Sequence, residues 1–220
     1  MLGMTTKEKI IAALESMRHE IESECFCRIA LTGGYENHIR DFLYEGLLIL
    51  GERNLKTEVN YSRLNTNGKK EHNRLDLISG NPTDLDYFVE LGHNGTWQGS
   101  FDVVNHAIDD INRSFDFTIS SKERFTVSIL TNILDFKESE SFRFRQSYLN
   151  DIRKNKKDPE QKLNETRSFF ASLDAYASDT TVEIFPKMSP TNLKGFLIDI
   201  HIFVAGSFEM MIPKDEVKII

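Results

Sequence analysis

From residue 55 onward, apolar positions fall into short runs of strand length separated by clusters of turn formers. LKTEVNYSRL at 55–64 alternates and ends near Asn67-Gly68, a hairpin turn pair. Arg74-Leu75-Asp76-Leu77-Ile78 and Tyr87-Phe88-Val89-Glu90-Leu91 flank Gly80-Asn81-Pro82-Thr83-Asp84, which predicts a second hairpin with strands at about 73–79 and 86–92. RFTVSILTNI at 124–133 is rich in β-branched residues and carries no charge after Arg124, the pattern of a buried strand.

The helical period appears elsewhere. Thr5 and Glu8 have capping-box spacing, and Ile10, Ile11, Leu14, Met17 and Ile21 predict one helix through about residue 24. After Gly33-Gly34, a second helix is predicted from Tyr35 to Leu50, with Gly51 as its stop. Phe101, Val104, Ala107, Ile108 and Ile111 predict a helix over 100–115, and Leu163, Phe169, Phe170, Leu173 and Tyr176 predict another from Pro159 to Tyr176. Strands at about 181–187 and 195–205 complete the order. Residues 138–157 give no clear period. The order is helix, helix, three strands, helix, strand, then a helix and two further strands. It predicts a single α/β domain over 1–220 with a central mixed sheet flanked by helices.

Composition narrows the function classes. No apolar run approaches the roughly 20 residues that span a bilayer, and no signal peptide opens the chain. The two cysteines, Cys25 and Cys27, are too few for a zinc site and suit reduced structural thiols. The expectation is a cytoplasmic protein. A net charge of −7 argues against an adhesive, nonspecific DNA-binding surface. It leaves room for a local basic strip, and Arg143, Arg145, Arg153, Lys154, Lys156 and Lys157 supply the candidate, with a solvated face as its bland alternative.

The acids on the predicted hairpin are the chemical signal. Asp76 and Glu90 each interrupt an apolar strand, and neighbouring strands can bring them to one face. Two converging carboxylates repel, and are tolerated mainly when a cation or water holds them. Oxygen ligands of this kind suit Mg²⁺, which takes one or two carboxylates and completes its shell with water and phosphate. Glu36 lies on the inward stripe of its helix with Arg40, Leu43 and Leu47, whereas Glu45 points the other way. Glu58 reads as an exposed strand residue. Arg74 shares the Asp76 face, either to contact phosphate or to pair with that acid. The alternative origin for Asp76 and Glu90 is a structural ion-pair network. Trp97 with Phe101 reads as packing before it reads as a base-stacking pair.

With these residues in place, the chain resembles the PD-(D/E)xK nuclease superfamily, the fold of many restriction and repair nucleases. RLDLI supplies the first acid as Asp76, YFVEL supplies the second as Glu90 fourteen residues later, and YENHIRDFL places Glu36 where members carry a helical glutamate. The resemblance covers residues 35–133. It implies a restriction-endonuclease-like core there, with 1–34 as an N-terminal helix and 134–220 as a C-terminal extension. It also implies Mg²⁺-dependent hydrolysis of DNA, in restriction or defence, with Asp76 and Glu90 on the metal and Glu36 holding a water or second ion. Arg74, Arg143, Arg145 and Lys154 would bind nucleic acid.

The motif lysine is missing: Gly92 stands two residues after Glu90. A cation can reach in from Lys69, Lys70 or Lys56. Gln98 or His93 can substitute, although strand alternation points His93 away from Glu90. Or the domain has lost catalysis and serves as a nucleic-acid or protein binding module, alone or as a homodimer.

Overall fold

A computed structural model describes residues 3–23, 35–64, 70–81, 84–96, 103–111, 120–134, 159–184 and 196–208. Among them are five helices, α1 (Thr6–Ser16), α2 (Arg18–Ile21), α3 (Tyr35–Ile49), α4 (Val103–Ile111) and α5 (Pro159–Ser172). Six strands, β1 (Leu55–Leu64), β2 (Lys70–Asn81), β3 (Asp84–Gly95), β4 (Ser120–Ile133), β5 (Tyr176–Ile184) and β6 (Phe196–Phe208), form one sheet in the order β1-β2-β3-β4-β6-β5. The protein is therefore α/β with a mixed open sheet. None of the described helices is long and apolar enough to cross a membrane.

Alternation of side chains sorts the two faces. Leu77, Val89, Leu91, Val127 and Ile129 join Ile10, Leu14, Ile39, Leu43 and Leu47 in one cluster, so α1 and α3 cover that face. On the other face Val103 and Ala107 of α4 and Phe170 of α5 pack with Leu130, Phe203 and Ala205. Phe170 and Phe203 stack there with ring centroids 4.5 Å apart. The parallel pairing of β3 with β4 requires a crossover, and α4 lies in that connection.

Several boundaries differ from expectation, among them two helix ends and β5, which runs over 176–184 where 181–187 was expected. The N-terminal helix begins as its capping box dictates, with Glu8 Oε2 accepting from Thr5 N–H at 2.7 Å. It does not continue to residue 24: Met17 leaves the helical region and its N–H turns to Leu14 O, so α2 starts in a new direction while keeping Ile21 in the core. The predicted helix to Tyr176 stops at Ser172. Asp174 adopts a positive φ of 50°, and Tyr176 already belongs to β5. β5 is an edge strand of mixed Ser, Asp and Thr, so its polar alternation carries no core signal.

Candidate functional site

Two acids, Asp76 of β2 and Glu36 of α3, act on one another near the C-terminal half of β3. The ladder between β2 and β3 pairs Leu77 with Val89. Just beyond that pair, Leu91 N–H donates to the Asp76 carboxylate at 2.8 Å. Asp76 is half-buried. This side-chain bond fixes it against β3, beside Glu90.

Glu36, on the first turn of α3, completes the group. Its carboxyl is pushed up to about 7, first by burial and next by the charge of Asp76; Asp110 adds to the rise, while His106 and Arg40 oppose it. A cation bound nearby would favour the carboxylate and lower this value again, with the proton passing to solvent.

Glu90 differs in being 3% exposed. Alternation puts it on the α4 face with Phe88 and Gly92, aligned with Thr126 on β4. The neighbouring Arg124 is also buried, with its guanidinium 5.6 Å from the centre of the Phe88 ring. Glu90 thus belongs to a polar row inside the sheet, below the more open Asp76 and Glu36.

Gly92 explains the space beside that row. A β-carbon at this position would lie 2.8 Å from Nδ1 of His106 on α4. The imidazole therefore packs against bare backbone, the usual reason for a glycine inside a strand. His106 Nδ1 is in turn 3.0 Å from Oδ2 of Asp110, one helical turn on, and Asp110 is 1% exposed. Neither residue was singled out by sequence reasoning. The available signal was the pairing of an i, i+4 His–Asp spacing on an amphipathic helix with a lone strand glycine.

The cations are placed as follows. Arg74 is exposed and pairs with Glu58 at 3.1 Å. Glu58 is exposed on β1 as expected, and also takes Arg40 at 2.7 Å from a backbone with φ of 51°, so it bridges two arginines. Lys56 is exposed on β1. His93 lies on the α3 face, 4.9 Å from the Tyr35 ring centre, and burial lowers its pKa to about 4. Lys69, Gln98, Arg143, Arg145, Lys154, the rest of the basic strip, Trp97, Phe101, Cys25 and Cys27 lie outside the described residues, as does the side chain of Lys70.

Among the described residues, no three His, Cys, Asp or Glu side chains come close enough together to cage a metal ion. That excludes a zinc-like centre from the described set. A water-rich Mg²⁺ site needs only one or two carboxylates, and the mutual repulsion of Asp76 and Glu36 fits such an ion. A separate shallow cleft, lined by Leu14, Arg18, Tyr176 and Thr180 among others, lies at the β5–β6 side of the sheet. Its arginine is engaged by Glu15 and Glu22.

Comparison with family models, curated proteins and solved structures returns no match.

Proposed function

We propose that the protein is a metal-dependent phosphodiesterase acting on nucleic acid, DNA in the first instance, of the PD-(D/E)xK type. The observation that carries this reading is the coupling of two acids from α3 and β2: burial and then the charge of Asp76 raise the Glu36 carboxyl, while Leu91 N–H holds Asp76 against β3 next to Glu90. Asp76 and Glu36 would hold Mg²⁺, with Glu90 behind them on β3. The ion would supply positive charge at the scissile phosphate and acidify a coordinated water. Asp76 is pre-positioned by Leu91 N–H, so little side-chain ordering is needed at binding. The exposed Arg74, paired with Glu58, would turn to a backbone phosphate.

A second reading, a binding module without catalysis, draws on the absence of a three-residue metal cage among the described residues and on Gly92.

Thermal unfolding in chelator and in millimolar Mg²⁺ or Mn²⁺, with plasmid cleavage alongside, separates them. Asp76→Asn is the right variant because its amide oxygen still accepts from Leu91 N–H. At ten times the dissociation constant, a single bound ion stabilises wild type by about 1.4 kcal/mol, a rise of about 3–6 °C for a chain of this size. Asp76→Asn should show neither that rise nor cleavage. Equal cleavage by both proteins rejects the catalytic assignment. Metal-independent binding of DNA by both, without cleavage, selects the binding module.

A further inference from the structure

We infer that Arg40 and Arg74 form a seat for one phosphate of the nucleic-acid backbone, and that Glu58 fills this seat until the substrate displaces it. The inference rests on the reading above for the identity of the ligand, and adds the place where its backbone is held. One carboxylate joins three elements. Arg40 Nη1 of α3 donates to Glu58 Oε1 at 2.7 Å, and Arg74 Nη1 of β2 lies 3.1 Å from Glu58 Oε2 on β1. Two guanidinium groups turned toward the two oxygens of one anion are an arrangement that also takes a phosphate.

The seat adjoins the acids. Arg40 stands one helical turn after Glu36, so the two share a side of α3. On the strands, Thr57 pairs with Leu77 and Val59 with Leu75, which sets Glu58 across from Asp76. A phosphate held between the arginines would therefore lie beside the pair of acids proposed to hold the metal.

Stability alone does not account for the bridge. Glu58 and Arg74 have side chains 42% and 61% exposed, and exposed ion pairs add little. Glu58 reaches the arginines from a left-handed backbone inside a strand, with φ of 51°. That conformation costs a glutamate more than such a pair offsets, and strain of this kind collects at functional sites. Arg40, by contrast, is 12% exposed and has other holds on its guanidinium. Asp41 Oδ1 lies 3.3 Å from its Nε and Nη2, and Asn37 Oδ1 lies 3.2 Å from Nη1. The Glu58 carboxylate can swing into solvent and leave that guanidinium in place.

Anisotropy of a short labelled DNA duplex in chelator, over about 50 to 200 mM salt, tests this. Glu58→Gln removes the charge. Glu58→Gly removes the side chain and suits the left-handed backbone, so it guards against a folding defect. Both should bind about 3–10-fold more tightly than wild type at the lower salt. The slope of log K against log salt should steepen by about 0.9, the mark of one phosphate gained. Glu45→Gln, an equal change of charge at an exposed position of α3, should stay within twofold of wild type. In an Arg40→Gln, Arg74→Gln background, Glu58→Gln should bring no gain. Binding by Glu58→Gln within twofold of wild type, an equal gain in Glu45→Gln, or a gain that survives loss of both arginines overturns the inference and leaves the hydrolytic reading standing. Tighter binding by the Glu58 variants without cleavage in Mg²⁺ or Mn²⁺ keeps the seat and rejects catalysis. Failure of every protein to bind DNA overturns both.

Discussion

Replacing Gly92 by alanine is a small change with an unusual expected sign. The glycine has an ordinary strand backbone, with no positive φ, so alanine is sterically acceptable to the main chain. Removing a glycine from a strand interior normally stabilises by about 0.5–1 kcal/mol. Here the new methyl would stand 2.8 Å from His106 Nδ1 and 3.4 Å from Cε1. The ring must swing away, and it then loses Asp110, a buried carboxylate 3.0 Å from Nδ1. Overpacking of this kind costs about 1–3 kcal/mol. Set against the gain from removing a glycine, the net is a destabilisation of up to about 2 kcal/mol. Urea unfolding in chelator measures it directly. In a His106→Ala background the same Gly92→Ala change should regain its ordinary sign and stabilise by about 0.5–1 kcal/mol. A Gly92→Ala protein more stable than wild type in both backgrounds would show that the imidazole does not depend on the glycine, and would refute the packing argument.

Two further outcomes follow from other contacts. Gly46→Ala puts a β-carbon 2.8 Å from Ala13 Cβ and 3.0 Å from its Cα, so α1 has to move off α3. Overpacking of about 1–3 kcal/mol against a helix-propensity gain of about 1 kcal/mol leaves a loss of up to about 2 kcal/mol. Ala13→Gly in the same protein should recover it in urea unfolding. Glu36→Gln should change the pH dependence of stability in chelator. The wild-type carboxyl is near 7 when folded and has a reference value of 4.5. The folded state therefore disfavours its charge: no penalty exists below pH 4.5, it grows from 4.5 to 7, and it is complete above 7. The glutamine variant should match wild type at pH 4 and exceed it by roughly 1–3 kcal/mol at pH 8, after allowance for solvent screening. Parallel stability curves across that range would contradict the assignment.

Most of the architecture was legible because its signals are local. β3 and β4 announce themselves through runs such as Phe88–Leu91 and Phe125–Leu130, and α3 through Ile39, Leu43 and Leu47, all of which are buried. Polar strand ends were less visible. Lys70–Asn73 and Ser120–Glu123 extend β2 and β4 by backbone pairing, which any side chain permits. The break at Met17 was hidden because Leu14 and Ile21 keep helical spacing across it. For the site, the alternation rule placed Glu90 and Gly92 on one face and His93 on the other. It could not tell that Glu90 is covered while Asp76 is half-open, since burial depends on neighbouring strands. Nor could it see His106 over Gly92. Fourteen residues separate them, and only the docking of α4 brings them together.

The sheet order carries a further consequence for how the chain comes to be folded. β6, the last of the described strands in sequence, lies between β4 and β5. Until it arrives, β4 has an unfilled flank and β5 has no strand to join. A chain released only as far as residue 195 therefore holds an incomplete sheet whose β4 edge offers unpaired N–H and C=O groups to any passing strand. β6 acts as a keystone, and removing it should convert a well-behaved protein into a sticky one.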